Sequence, residues 1–296
     1  SVGSGSLQLN TTGYENVALG SNALTSNING NNNVALGKNA LELNTSGDFN
    51  VASGSNALKS NTTGYRNTAI GVSALLTNTT GYQNTAIGSA SLLRNTTGLQ
   101  NVAIGANALN ENTTGNNNTA NGYNALYSNI TGSNNIAVGR DALLSNTDGD
   151  NNTALGTNAL SSNNYGDNNT SIGFESLKTN TSGELNTATG YRAMEKNESG
   201  YRNTAYGSLA LNNNTIGFEN TAIGSQALTA FNVFGSTVGV TGYQNTAIGS
   251  NAMQVLASEI SGNRNTAIGY QALLNVNSGS NNIGLGFQSQ VPNGTS

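Results

Sequence analysis

Asp148 and Asp150 come nearest to a paired-carboxylate centre for general acid–base chemistry, but turn formation among asparagine and glycine explains them better. Histidine and cysteine are absent, so neither a Ser/His/Asp nor a Cys/His nucleophile can be built. The Gly-Gly-x-Gly-x-Asp calcium repeat is missing. The glycine-rich strings lack the lysine and following hydroxyl of a phosphate loop. These residues predict no enzyme, no cofactor and no metal site. A net charge of −4 gives no electrostatic footprint for nucleic acid, and no apolar run suits membrane insertion. Many Asn-Thr-Thr strings match the N-glycosylation acceptor, yet they recur at one fixed phase and read as turns.

What remains is recognition. Two segments are unusually apolar: 229–240, with Phe231, Val233, Phe234 and Val240, and 254–260, with Val255, Leu256 and Ile260. Exposed apolar patches mark interaction sites, so these seven residues are candidate partner-binding positions. The competing expectation is a brace, in which the segments pack on each other or on a neighbouring chain. Tyr14, Tyr65, Tyr82, Tyr201 and Tyr243, with Phe218, share one phase of a repeat. They read either as a glycan-stacking stripe or as covers over a turn, and Leu99 and Asn31 at the same phase favour the turn. Thr62, Thr79, Thr96 and Thr113 align, as do Thr63, Thr80, Thr97 and Thr114, which raises ice binding as an alternative. Asn29, Asp148, Tyr165 and Ile216 interrupt the second column.

The repeat positions all of these. The glycine closing Asn-Thr-Ala-Ile-Gly recurs every 17 residues from Gly20 to Gly224, then at Gly249, Gly269 and Gly286. Asparagine stands four residues before each of these sixteen anchors, beginning Asn16, Asn33, Asn50, Asn67, Asn84 and Asn101. Glycine stands seven before, beginning Gly13, Gly30, Gly47 and Gly64. A further asparagine column, seven after the anchor, runs from Asn27 to Asn214. Val/Thr-Ala-Ile/Leu has strand alternation, with alanine facing a narrow interior and branched residues facing outward. Ala-Leu, three and four after the anchor, supplies the opposing wall. Charges such as Glu42, Lys59, Arg66 and Lys196 fall at variable positions, where the coil should meet solvent.

Two invariant glycines per repeat exclude a helical repeat, at about 1 kcal/mol each. Both are expected to hold positive φ. The asparagines either adopt left-handed turns or stack as amide ladders between coils. The expected fold is an all-β parallel β-solenoid of about sixteen 17-residue coils, forming one repeat domain over 1–296. Regular coils cover 10–224, coils with insertions 225–269, and the last coil and exit 270–296. A coil spacing of about 4.8 Å predicts a rod of about 75 Å.

The string Asn-Thr-Ala-Ile-Gly-x-x-Ala-Leu-x-x-Asn-Thr-Thr-Gly, repeated over nearly the whole chain, resembles the head repeats of trimeric autotransporter adhesins. It is more similar still to repeats of bacterial and phage fibre proteins that end in an endosialidase-type intramolecular chaperone. Residues 281–286, followed by Gln290, Val291, Pro292, Asn293 and Gly294, look like the last coil before such a protein's next segment. The resemblance implies a left-handed parallel β-roll, a homotrimer, and extracellular display on a cell surface or virion, with signal and anchor outside this sequence. The implied function is a structural or adhesive fibre whose partner is a surface receptor or glycan, or a tail-fibre spacer without binding activity. The usual adhesin head repeat is shorter than 17 residues, so the coil shape is expected to differ. The outward apolar face of each strand independently needs a partner. Ser53, Asn121, Thr189 and Tyr206 replace Ile or Leu there, and Asn121 would form a polar ring where three chains meet.

Overall fold

The computed structural model describes residues 1–231, 239–256 and 259–290, with Phe231 through its backbone alone. Two compact units divide the chain, Ser1–Gly149 and Asp150–Ser296. Each is an all-β parallel β-solenoid, and no helix occurs among the described residues.

The first unit carries β1 (Val17–Leu19), β2 (Val34–Leu36), β3 (Val51–Ser53), β4 (Thr68–Ile70), β5 (Thr85–Ile87), β6 (Val102–Ile104), β7 (Thr119–Asn121) and β8 (Ile136–Val138). Each strand pairs in parallel with the next, one coil on, so that like positions stack: Val51 on Thr68, Ala52 on Ala69, Ser53 on Ile70. The second unit repeats this with β9 (Thr153–Leu155), β10 (Thr170–Ile172), β11 (Thr187–Thr189), β12 (Thr204–Tyr206) and β13 (Thr221–Ile223). There β14 (Ala230–Phe231) and β16 (Val255–Leu256) leave the main sheet and pair with each other. The main sheet continues through β15 (Thr246–Ile248), β17 (Thr266–Ile268) and β18 (Ile283–Leu285).

The interior is built from alanine, leucine and asparagine. In a representative coil Ala52, Ala57, Leu58 and Asn61 are wholly buried, and so is Asn67, which opens the next strand. Small residues suit this strand position because it faces the buried Ala-Leu wall. Ser171 and Ser176, which replace two of the alanines, are buried and satisfied: Ser171 Oγ donates to the Ser176 carbonyl at 2.8 Å, and Ser176 Oγ to that of Gly173 at 3.1 Å.

Both asparagine columns are ladders. Asn67 Oδ1 accepts the Asn84 backbone N–H at 3.0 Å, and its Nδ2 donates to Asn50 Oδ1 at 3.2 Å and to the Gly81 carbonyl at 2.9 Å. In the second column Asn78 Nδ2 donates to Asn61 Oδ1 at 2.8 Å and to the same Gly81 carbonyl at 2.9 Å. One glycine carbonyl therefore anchors both ladders in every regular coil. Neither asparagine column adopts positive φ; that role falls to other residues.

The two glycine series differ in cause. The anchors hold positive φ, for instance Gly71 at 136°, and a Cβ there would lie 2.5 Å from the Gly88 carbonyl oxygen. The series Gly13, Gly30, Gly47 and Gly64 does not occupy the left-handed region, against expectation. Its constraint is space: a Cβ on Gly30 would meet Asn27 Oδ1 at 2.5 Å, the Gly47 carbonyl at 2.6 Å and Asn44 Nδ2 at 2.8 Å. The repeat also reaches one coil further towards the N-terminus than the sixteen anchors. Gly3 has φ 129°, Leu7 has φ 51°, and Val2 bridges Leu19.

Three non-glycine residues in each regular coil do take left-handed backbone, as with Asn56 (φ 60°), Leu58 (φ 51°) and Arg66 (φ 54°). Such residues cost about 1–2 kcal/mol each. Inter-coil bonds hold them: Asn56 N–H to the Lys38 carbonyl, Arg66 N–H to that of Asp48, and Leu58 N–H to that of Ala74, all at 2.9 Å. Gln83, exposed with φ 56°, tests the strain cleanly. Gln83→Asn is expected to leave the melting temperature level or raised, whereas Gln83→Val should lower stability by about 1–2 kcal/mol. Equal melting of the two variants would show that strain at this position has no energetic weight.

Candidate functional site

The last residue of each main-sheet strand points away from the interior. In the first unit Leu19, Leu36, Ile70, Ile87, Ile104 and Val138 are 37–52% exposed, making a column of large apolar side chains along the sheet. In the second unit Ile172, Tyr206, Ile223, Ile268 and Leu285 continue the same phase, all exposed. Asn121 is exposed in this column, and Ser53 and Thr189 are half-buried. These polar substitutions therefore stand on an outer surface of the single chain.

The described parts of the two apolar insertions are largely turned inward. β14 and β16 pair in register, Ala230 with Val255 and Phe231 with Leu256, and Val240 bridges both Asn214 and Ile260. Val240, Val255 and Ile260 are buried within the chain, while Leu256 is 52% exposed. Val233 and Phe234 lie outside the described residues, as does the Phe231 side chain. Of the candidate positions whose side chains are described, Val240, Val255 and Ile260 are therefore buried and Leu256 is exposed. The insertions also end one ladder. Gly239 and Glu259 occupy the phase that asparagine holds up to Asn214, and among the described residues Asn214 Oδ1 accepts no hydrogen bond. The other asparagine column continues through Asn220, Asn245, Asn265 and Asn282.

The aromatic phase forms stacks. Tyr65 lies on Tyr82 with ring centroids 4.8 Å apart, and Tyr201, Phe218 and Tyr243 form a three-ring column at 4.9 and 4.8 Å. Within a stack the ring faces cover one another, which leaves edges and the end faces for a ligand. A polar ladder runs beside the three rings. Arg202 Nη1 donates to Glu219 Oε1 at 3.3 Å, Gln244 Nε2 to Glu219 Oε2 at 2.9 Å, and Arg264 Nε to Gln244 Oε1 at 3.1 Å. The Gln244 and Arg202 hydrogen bonds hold the Glu219 carboxyl below its ordinary pKa. Where the next coil has a short polar residue at this phase, a different bond replaces stacking: Asp48 Oδ1 accepts the Asn31 backbone N–H at 2.7 Å.

Charge also gathers inside a wall around Glu195. Glu195 is only 7% exposed, contrary to the expectation that all charges meet solvent. Arg192 Nη2 donates to its Oε1 at 2.7 Å and Asn212 Nδ2 to its Oε2 at 3.0 Å. Burial pushes the Glu195 carboxyl up, but these hydrogen bonds and the charges of Arg192 and Lys178 together hold it below its ordinary value. The Glu195 hydrogen bond in turn raises the Arg192 guanidinium pKa. An adjoining cleft of about 560 Å³ is lined by Lys178, Glu195, Lys196, Glu198, Thr215 and Glu259 among others. Asp148 accepts from Thr131 Oγ1 at 2.6 Å, and the Asp150 backbone N–H donates to Asp167 Oδ1 at 2.7 Å, so both aspartates take part in bonds between neighbouring coils.

The threonine columns are unlike each other. Thr62, Thr79 and Thr96 each donate Oγ1 to the next coil's carbonyl at 3.0 Å, whereas Thr63, Thr80, Thr97 and Thr114 are exposed. The asparagines of the glycosylation-like strings, such as Asn61, Asn78 and Asn95, are buried with their Nδ2 groups donating twice. In the folded chain those nitrogens are engaged in the ladder.

No family model matches the chain, and no curated protein matches it.

Proposed function

We propose that the chain is a segment of a structural, adhesive fibre displayed outside a cell or on a virion, with three copies associated through their outward sheet faces. The observation that carries this reading is the column of exposed Leu, Ile and Val at the last strand position. A column of that kind leaves apolar side chains in water at most coils, and a symmetric self-association removes them from it. The resemblance to adhesin head and fibre repeats supplies the left-handed winding and the threefold symmetry of the reading. Around such an axis Asn121 from three chains would be within reach of its copies, which suits an amide better than an isoleucine. The reading is non-catalytic, in keeping with a sequence that lacks histidine and cysteine. Repeat solenoids add stability coil by coil and serve as extended scaffolds, which is the property a fibre needs.

Multi-angle light scattering of the purified chain tests the association. The expected mass is three times that of the chain, persisting on dilution to the micromolar range. A monomeric mass would overturn the trimer and remove its support from the fibre reading.

A further inference from the structure

The three-ring column begins at Tyr201, whose one face lies against Phe218 at 4.9 Å and 2° between planes. On its other side the preceding coil offers no ring, only Glu184 at the same phase. There a cleft of about 370 Å³ is lined by Ser182, Glu184, Leu185, Ser199, Tyr201 and Arg202. Tyr201 is 39% exposed, and Arg202 stands 5.8 Å from its ring centroid. A shallow site therefore combines one aromatic platform, one carboxylate, one guanidinium and two hydroxyls.

The same constellation occurs in the other unit. Ser46, Asp48, Phe49, Thr63, Tyr65 and Arg66 occupy the matching phases, eight 17-residue repeats earlier in the sequence. Tyr65 again starts a stack, on Tyr82, and Arg66 stands 6.0 Å from the Tyr65 centroid. The backbone agrees too, with Arg66 N–H bonded to the Asp48 carbonyl at 2.9 Å and Arg202 N–H to that of Glu184 at 3.0 Å. One difference sets the second unit apart. The Asp48 carboxylate is engaged by the Asn31 backbone N–H, whereas the carboxylate of the longer Glu184 has no hydrogen-bond donor among the described residues and lines the cleft.

We propose that the Tyr201 cleft is a carbohydrate-binding subsite that takes one pyranose unit of a surface glycan. The C–H face of a pyranose carries slight positive charge and suits the negative face of a tyrosine ring. Glu184 accepts hydrogen bonds from adjacent sugar hydroxyls, and Arg202 donates to ring or hydroxyl oxygens. The cleft is lined by polar side chains, Ser182, Glu184, Ser199 and Arg202, as well as by Leu185 and Tyr201. Its single free ring face, with an acceptor and a donor beside it, matches a flat ligand that is apolar on its face and polar at its rim. The site is complete within one unit of one chain, so it stands apart from the question of association. It gives the adhesive reading a place and a ligand class.

Saturation-transfer NMR against methyl pyranosides of glucose, galactose, mannose and N-acetylglucosamine tests the site, followed by calorimetric titration of the best binder. The intact chain is expected to bind at least one of them, with a Kd on the order of 1 mM as befits a single small subsite. Tyr201→Ala and Glu184→Ala should each weaken binding by roughly five- to tenfold. Tyr123→Ala, an exposed aromatic in the other unit, should leave it unchanged. Glu184→Ala leaves the ring stack untouched and so reports binding apart from folding. Binding by none of the four sugars, or equal binding by wild type and both cleft variants, would overturn the proposal. Light scattering of the same samples records association separately, so either reading can fail alone.

Discussion

Gly64→Ala is expected to unfold the coils around it and to cost about 4 kcal/mol or more. The added methyl group would be driven into the Gly81 carbonyl and the side-chain amide of Asn61, with Asn78 Nδ2 only 2.9 Å away. None of these is the free end of a flexible side chain. The Gly81 carbonyl holds both ladders, accepting from Asn67 and Asn78 at 2.9 Å each, so moving it breaks two bonds at once. Because φ at Gly64 is not left-handed, the loss arises from contact alone. Gly71→Ala adds an unfavourable φ to a similar clash and should be at least as damaging. Urea denaturation and hydrogen exchange provide the readout, with protection expected to fall first in the coils flanking residue 64. Unfolding of Gly64→Ala within about 1 kcal/mol of wild type would show that the coils can part without cost.

Asn67→Asp is expected to be nearly as severe, and to depend on pH in a direction fixed by the ladder. Asn67 is wholly buried and uses both ends of its amide. A carboxylate keeps the acceptor but places negative charge against Asn50 Oδ1 and the Gly81 carbonyl, where two donors stood. Burial without a partner charge raises the folded-state pKa above the unfolded value of about 3.9. The charged form is then the one penalised. Stability relative to wild type should be best below about pH 4 and should fall as pH rises towards neutrality, by about 3–5 kcal/mol in total. The measurement is the difference in unfolding free energy between variant and wild type at pH 3.5 and pH 7. A difference that stays constant between the two would place residue 67 in contact with water rather than in a sealed ladder.

The period made much of this legible before any coordinates. Fixed offsets of Asn, Ala, Leu and Gly identified the strand, the opposing wall and the residues that must stack, because identical side chains recur only where neighbouring coils impose identical surroundings. Two things stayed hidden for physical reasons. Gly30 and Gly71 look alike as letters, yet a side chain is excluded at one by contact alone and at the other by its own φ as well; invariance records a constraint without recording its kind. The left-handed Leu58 was equally silent, since leucine gives no local signal for positive φ and is held there by inter-coil bonds. In the apolar insertions hydrophobicity alone does not separate buried from exposed positions: Val240, Val255 and Ile260 are buried, whereas Leu256 is exposed. The Tyr201 cleft was written in residues that look ordinary singly. Its signal was the recurrence of Ser-Gly-Glu-Leu and Ser-Gly-Tyr-Arg as Ser-Gly-Asp-Phe and Thr-Gly-Tyr-Arg in the other unit.

The doubly used glycine carbonyl has a consequence for heredity. Each regular coil offers the next one the same acceptors and receives the same donors, so the ladders register only whole coils. A gene change that adds or removes 17 codons within such a stretch hands every amide an equivalent partner, whereas a loss of one codon leaves a buried donor facing nothing. Unequal crossing-over between near-identical segments would produce the first kind of change readily. Length in such a chain is therefore a trait that can drift in steps of one coil, about 4.8 Å each, without the fold opposing it.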